Sequence, residues 1–131
     1  MRILAGALGP ESPRRDLWLS PEHAVYLRGV LIPVRLLING STIAQVELNA
    51  VTYYHIELTW HDVLLAEGLA VESYLDTGNR TNFEDGRLVT LHPDFAWRRW
   101  EADGCAPLVV TGPELTMARR GIEEIAAAWV A

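Results

Sequence analysis

The sequence predicts a mainly β fold of short antiparallel strands, followed by one C-terminal α-helix. Short apolar runs separated by turn residues fill the first two-thirds of the chain, which is typical of an all-β body rather than of βαβ units. One later segment has apolar residues at helical spacing. At 131 residues the chain is expected to form one domain. A β body over residues 1–80 would carry a tail over residues 81–131 that contains the helix and packs on the same domain.

Pairs of turn residues mark the clearest strand boundaries. Strands are expected at 24–27, 30–34, 43–48, 51–59, 63–66, 69–71 and 88–91. The Arg28-Gly29 pair predicts a tight hairpin, and Glu67-Gly68 closes a later strand. Pro33 is expected at a sheet edge or a strand end, because proline has no N–H to donate to a neighbouring strand.

The remaining segments are assigned from turn and helix signals. We expect apolar stretches at 1–8 and 17–19, loops at 9–13 and 76–82, and one helical turn at 34–38. The turn should end at Asn39-Gly40, which favours a left-handed C-cap. The C-terminal helix should begin at Gly112-Pro113-Glu114, because proline suits the first helical position and glutamate the N-terminal dipole. Its predicted apolar face consists of Leu115, Ala118, Ile122, Ile125 and Trp129.

The charge of the chain argues against nucleic acid as a partner. The formal net charge is -6, and all 11 basic residues are arginines. Proteins that bind nucleic acid gain most of their affinity by neutralising phosphates with a basic surface. An acidic chain without a basic stripe lacks that surface. The residues also indicate no small-molecule substrate and no cofactor.

The single cysteine and the hydropathy pattern indicate the compartment. Cys105 is alone and cannot form an internal disulfide, which fits a reducing environment. No base or cluster of positive charge lies near it in the sequence, so we interpret it as a structural thiol. The start has too short an apolar stretch for a signal peptide, and no run reaches the roughly 18 apolar residues of a membrane span. We therefore expect a cytoplasmic chain that does not enter a membrane.

Two segments are candidates for chemistry. In the first, Ser20 lies three positions before His23, and Pro21 bends the chain between them. Both side chains can then face one pocket, where the imidazole can hydrogen-bond a scissile amide and the hydroxyl can hold the ring. A helix-cap-like turn with a satisfied histidine is the competing interpretation.

The second candidate segment covers residues 52–68 and is expected to form a strand, a short turn and a returning strand. His55 and His61 lie on or beside that hairpin. Together with His23 they suggest zinc, which accepts imidazole ligands. Their spacing matches no standard ligand pattern, so we predict no metal site, and core or surface histidines are the competing interpretation.

Four motifs in order resemble the bacterial branch of the Hint (hedgehog/intein-type) superfamily. They are LSPEH at 19–23, IPVRLLING at 32–40, YHIEL at 54–58 and HDVLLAEGLAVES at 61–73. The likeness spans residues 1–80, and the stretch from Cys105 to the final helix is similar to the tail that often follows that module. The resemblance implies a horseshoe-like all-β fold with pseudo-twofold symmetry, present here in part.

The resemblance also implies intramolecular autoproteolysis, in which an N-terminal Cys or Ser attacks the preceding carbonyl. Ser20 takes the place of the family's hydroxyl residue, and His23 that of the histidine that polarises and protonates the scissile amide. His55 falls where many members have Asp, and His61 lies near the later histidine-bearing turn. Glu72-Ser73 stands where inteins close with His-Asn, so intein-type splicing is not expected.

The nucleophile-bearing start of the family has no counterpart in this sequence, which leads to two expectations. The module should be partial or degenerate and should not cleave itself alone, so the four site residues would be vestigial. It should pair through unprotected sheet edges with a second copy, as a homodimer, or with a missing N-terminal Hint half.

Two functions from other classes remain open on the sequence. A non-catalytic interaction domain would use the five tryptophans, with Trp97-Arg98-Arg99-Trp100 as a sticky patch, although burial of the tryptophans in the core is favoured. An enzyme acting on another molecule would use Ser20, His23 and His55, but no orienting third group or oxyanion site can be named for it.

Overall fold

Short strands form two antiparallel sheets in the computed structural model, which describes residues 1–50, 56–73 and 104–130. The strands are β1 (Arg2–Ile3), β2 (Leu17–Trp18), β3 (Ala24–Leu27), β4 (Val30–Pro33), β5 (Ile43–Ala44), β6 (Val63–Ala66) and β7 (Leu69–Glu72). A 3-10 turn, Val34–Leu37, follows β4, and one helix, α1 (Pro113–Val130), closes the described chain. The mainly β prediction with a C-terminal helix is confirmed.

The first sheet has the strand order β2-β1-β5 and the second β4-β3-β7-β6. In the first, Ile3 lies opposite both Leu17 and Ile43. In the second, the two hairpins β3–β4 and β6–β7 meet where Val25 pairs with Val71. A long-range pairing between the two central strands, β3 and β7, therefore joins the two hairpins into one sheet.

Both expected turn pairs connect strands as two-residue hairpins. Arg28 and Gly29 have φ angles of 51° and 84°, and Glu67 and Gly68 have φ angles of 49° and 82°. Two consecutive positive φ angles are the requirement of the type I′ turn, whose twist matches that of paired strands. Pro33 is the last residue of β4 and pairs with Ala24, as its missing N–H predicts.

The core lies between the sheets and α1. Side chains from both sheets and from the helix form one buried apolar cluster, which includes Ile3, Val25, Ile32, Val34, Leu37, Ile43, Leu69, Val71, Leu115, Ala118 and Ile122. Leu115, Ala118 and Ile122 are three of the five residues predicted for the apolar face of the helix. Ile125 is half-buried, whereas Trp129 is 49% exposed because it lies in the last turn of the helix. No helix among the described residues is long and apolar enough to cross a membrane.

Several local predictions are wrong in detail. The strand expected at 43–48 is limited to Ile43–Ala44, and residues 56–59 of the expected strand 51–59 are not in a strand. Gly40 is left-handed but does not cap the 3-10 turn, which ends with Ile38 in an extended conformation. Asn39 instead accepts N–H bonds from Ser41 and Ile43 through its side-chain oxygen. A side chain that bonds its own backbone favours a turn of this kind over a helix cap.

Burial of the tryptophans is also wrong for the three that the structure describes. Trp18, Trp60 and Trp129 are 36%, 80% and 49% exposed. Trp18 ends an outer strand, and Trp60 precedes the outer strand β6. Four features of the sequence analysis lie outside the described residues: the segment 51–55, the loop 76–82, the strand 88–91 and the tryptophan–arginine patch at 97–100.

We expect Gly68→Ala to destabilise the fold more than Gly29→Ala. Both positions are left-handed, and that conformation alone costs a residue with a Cβ about 1–2 kcal/mol. A Cβ at Gly68 would lie 3.0 Å from the Glu11 carbonyl oxygen, whereas one at Gly29 meets nothing within 4 Å. Urea denaturation of the two variants checks the difference. Equal losses in free energy of unfolding would show that the Glu11 loop can move away from the turn to make room for the added Cβ.

Candidate active site

The site lies at one end of the two central strands, where side chains replace backbone groups in the hydrogen-bond ladder. The pairing of Val25 with Val71 brings Ala24 opposite Glu72. The Ala24 N–H donates to the Glu72 carboxylate at Oε1 (2.8 Å) rather than to a backbone carbonyl. The Glu72 carbonyl oxygen instead accepts a hydrogen bond from Nε2 of the His23 ring (3.1 Å). The His23 ring is thus fixed to the end of β7.

The turn that carries His23 is held by its backbone. The His23 N–H donates to the Ser20 carbonyl (3.1 Å), and the His23 carbonyl accepts from the Val34 N–H (2.9 Å). The Arg35 N–H donates to the Pro21 carbonyl (3.0 Å). Three backbone bonds therefore fix the position of the His23 Cα before its side chain is considered. Ser20 contributes to this turn through its carbonyl oxygen.

A second histidine, His61, is buried behind Glu72. Its side chain is 1% exposed, and its Nε2 lies 3.1 Å from Glu72 Oε2. The other ring nitrogen, Nδ1, lies 2.9 Å from the backbone nitrogen of Cys105. A backbone N–H can only donate, so Nδ1 accepts and the ring proton lies on Nε2, from which it is donated to the carboxylate. Glu72 therefore connects His61 with the β3 end that carries His23.

Ser73 fixes the chain next to His61. Its N–H donates to the Asp62 carbonyl (2.7 Å), and its hydroxyl accepts from the Asp62 N–H (2.9 Å). Ser73 is 1% exposed, so both bonds lie in the interior, where an unpaired polar group is costly. This pair continues the β6–β7 ladder by one position and sets the distance between His61 and Glu72.

The His23 ring is electrically neutral at neutral pH. Burial lowers the pKa of His23, and the Glu72 carboxylate and the hydrogen bond to the Glu72 carbonyl oppose this shift without cancelling it. With Nε2–H committed to a carbonyl, a neutral ring carries its lone pair on Nδ1.

The thiol of Cys105 is a weak nucleophile. Its side chain is exposed, yet partial burial and the negative charges of Asp62 and Glu72 raise its pKa, against the smaller lowering effect of a backbone hydrogen bond. The thiolate is the reactive form of cysteine. A thiol beside two carboxylates is therefore less reactive than an isolated one.

The structure brings together part of the set predicted from the sequence. His23 and His61 meet through Glu72, and Ser20 is bonded to the His23 backbone. His55 lies outside the described residues. Within the described ranges 1–50, 56–73 and 104–130, no group of three or more His, Cys, Asp or Glu side chains is arranged to hold a metal ion.

Sequence reasoning did not single out Glu72, Ser73 or the Cys105 N–H as parts of a site. A signal for the first two was present, because a two-residue turn at Glu67-Gly68 dictates the register of its strands and places Glu72 opposite Val63. The Cys105 contact spans 44 residues and has no local signal.

A family model described as a Hint domain matches residues 1–78. The chain belongs to the Hint domain family. The match contains every strand of both sheets and the cluster of His23, His61 and Glu72, and it confirms the family resemblance seen in the sequence. No curated protein and no solved structure matches this Hint domain significantly.

The free energy of unfolding should fall as the pH drops below about 6.5, the ordinary pKa of histidine, and His23→Gln should weaken that fall. Because folding lowers the pKa of His23, the unfolded chain binds the proton more tightly than the folded chain. Protonation therefore favours unfolding, and the folded state keeps its full stability only at pH values above the pKa of the unfolded histidine. Glutamine retains a donor for the Glu72 carbonyl. Urea denaturation from pH 4.5 to 7.5 gives both slopes, and identical slopes would contradict a buried neutral His23.

Proposed function

We propose that this Hint domain provides the histidine part of a self-processing centre that cleaves a backbone peptide bond by acyl transfer, and that it is inactive alone. The observation that carries this proposal is the His23 ring, held through Nε2 on the Glu72 carbonyl (3.1 Å). A buried neutral imidazole that is held in one orientation is suited to accept a proton and return it. Membership of the Hint family supplies the reaction class.

In the proposed step, the oxygen or sulfur of a nucleophile bonds to the carbonyl carbon of the scissile peptide, and the C–N bond breaks. The proton of the nucleophile moves to Nδ1 of His23 and from there to the leaving amide nitrogen. Atoms and charges balance: the amide becomes an ester or thioester and a free amine. Water or a second nucleophile then resolves the ester or thioester.

We assign supporting roles to the other residues. Ser20 holds the turn that presents His23, and its hydroxyl occupies the position of the family's hydroxyl residue. His61 orients the Glu72 carboxylate through Nε2. A role for His55, and with it a bacterial, hedgehog-like or intein-like origin and a cytoplasmic location, stays a prediction from the sequence.

The nucleophile is proposed to come from a segment joined or bound to these residues. Among the described residues, the Ser73 hydroxyl accepts from the Asp62 N–H, and the raised pKa of Cys105 keeps its thiol protonated. Neither is activated by a neighbouring base in the way that nucleophilic catalysis requires. The described groups therefore move and hold protons, and the attacking atom belongs to another part of the centre.

The chain alone should keep its full mass on prolonged incubation. If the reading frame is open upstream of Met1, the extended product should be cut directly before a Cys or Ser. His23→Ala should slow that cut by about 10²–10⁴-fold, the usual contribution of general acid–base catalysis. Intact-mass spectrometry over time measures both.

Glu22→Ala is the matched control, because Glu22 neighbours His23 but is 73% exposed in its ion pair with Arg35, and such pairs contribute little. Thermal melting of each variant separates lost chemistry from lost folding. A long product that stays uncut, or one that His23→Ala cuts at the wild-type rate, would overturn the self-processing proposal.

The second candidate function is interaction without catalysis, by assembly of two copies of the Hint domain. Strand β6 is the outer strand of its sheet, and its Leu65 side chain is 72% exposed. An outer strand offers unpaired backbone groups to a second chain. An apolar side chain there favours an antiparallel β6–β6 contact across a twofold axis.

Under this second candidate, Leu65→Lys should shift the protein from dimer to monomer, because the substitution places two like charges across the contact. Met117→Lys is the control, since Met117 is 53% exposed on α1, away from the strand. Sedimentation velocity over a range of concentrations measures the shift. A wild-type protein that sediments as a monomer throughout would reject this candidate.

A further inference from the structure

A segment beyond the family match, residues 104–109, is docked on the second sheet. The Leu31 N–H donates to the Pro107 carbonyl (2.9 Å), and the Val109 N–H donates to the Leu31 carbonyl (2.8 Å). These bonds form a parallel bridge between Leu31 and Leu108 on β4, the end strand of that sheet. In the part of the chain that the structure describes, the segment thus covers the outer edge of β4.

The same segment reaches the candidate site through its backbone. The Cys105 N–H donates to Nδ1 of His61 (2.9 Å), whose side chain is 1% exposed. Since this donor cannot become an acceptor, it keeps the ring proton on Nε2 and directs it at Glu72 Oε2. The Cys105 N–H of the tail and the Glu72 carboxylate of β7 therefore favour the same tautomer of His61, one at each ring nitrogen.

From His61 the hydrogen bonds continue to His23. Glu72 accepts the His61 proton at Oε2 and the Ala24 N–H at Oε1, and its carbonyl holds the His23 ring. The Glu72 side chain is 11% exposed, so its rotation away from either donor would leave a buried polar group without a partner. Each bond in this chain depends on the next.

We propose that docking of residues 104–109 completes the site, with the Cys105 N–H acting as a positioning group that orients His23 through His61 and Glu72. The role of His23 in cleavage rests on the proposed function, whereas the hydrogen-bond chain itself does not. Undocking of the segment removes the donor at His61 Nδ1 and weakens the preference for this tautomer, and with it the fixed position of the Glu72 carboxylate. The tail is then a means of controlling a centre to which it contributes no reacting side chain.

The first test compares Cys105→Pro, which removes the N–H, with Cys105→Ala, which retains it. The Cys105 side chain is exposed, so the alanine variant controls for loss of the thiol. Ring ¹⁵N shifts of the full chain, with His61 assigned through His61→Gln, should show protonated Nε2 and unprotonated Nδ1 in the wild type and in Cys105→Ala. Cys105→Pro should show a raised share of the Nδ1-protonated tautomer of His61. An unchanged His61 pattern in a folded Cys105→Pro protein overturns the proposal.

The second test uses Glu72→Gln and does not depend on the folding of Cys105→Pro. A glutamine at position 72 has one acceptor oxygen, so Glu72→Gln cannot accept from both Ala24 and His61. Loss of one such bond should speed amide hydrogen exchange at Val109 by about tenfold, because the docked segment loses its anchor at His61. Glu22→Gln makes the same chemical change at an exposed site and should leave this exchange rate unchanged. Equal rates in both variants overturn the coupling.

Neither test measures cleavage, which separates this inference from the proposed function. If the extended product stays uncut while Glu72→Gln frees Val109, the hydrogen-bond chain stands and self-processing fails. If the extended product is cut in a His23-dependent manner while the His61 ring shifts of a folded Cys105→Pro protein are unchanged, self-processing stands and the positioning role of the tail fails.

Discussion

The polar groups of Glu72 are shared among three parts of the chain, and the geometry of the site depends on this sharing. The carboxylate is nearly buried, and burial of a charge is tolerated only where donors surround it. Ala24 of β3 and His61 before β6 are those donors. The carbonyl of the same residue accepts from His23. A shift of any one of these elements would leave a buried donor or acceptor unsatisfied, so β3, β7 and His61 hold their positions together.

The His23 ring can bind at the end of the β3–β7 ladder because the backbone pairing there is incomplete. Inside a regular ladder, backbone N–H and C=O groups satisfy each other and leave no role for side chains. Here the carboxylate takes the Ala24 N–H, which leaves the Glu72 carbonyl for an imidazole. Ser73 makes a similar exchange when its hydroxyl accepts the Asp62 N–H. Two such exchanges at one edge convert a strand terminus into a cluster of paired polar groups beside the apolar core.

Competing effects on His23 decide its chemistry. The negative Glu72 carboxylate favours a protonated ring, yet desolvation is the larger effect and lowers the pKa. Because burial disfavours the charged form, the ring stays neutral and retains a basic nitrogen. A permanently protonated ring could give a proton but could not first take one. The same burial that positions the ring therefore makes it usable as both acceptor and donor.

Local chemistry in the sequence predicted the local structure, and long-range pairing was beyond it. Arg28-Gly29 predicted its hairpin, and Glu67-Gly68 predicted the end of a strand, because turn type depends on the residues of the turn itself. Pro113 marked the helix start for a similar reason. The turn at Asn39 was misjudged, since its side chain has several backbone partners of comparable strength. Of the candidate site, the sequence predicted Ser20, His23 and His61 but not the residue between the two histidines. The residue that joins them, Glu72, is 49 positions from His23, and no periodicity encodes which strands meet across such a loop.

The tail and the Hint-matched residues depend on each other physically, although the family match ends at residue 78. Leu115, Ala118 and Ile122 of α1 are buried against the sheets, and full burial of a side chain of this size contributes about 1.5–3 kcal/mol for leucine or isoleucine. Without the segment at 107–109, the Leu31 N–H and carbonyl would lose their partners. Because a domain of this size is stable by only about 5–15 kcal/mol, losses of that kind would weaken β4 and the hairpin next to His23. The buried core that supports the site therefore includes side chains of the tail as well as those of the two sheets.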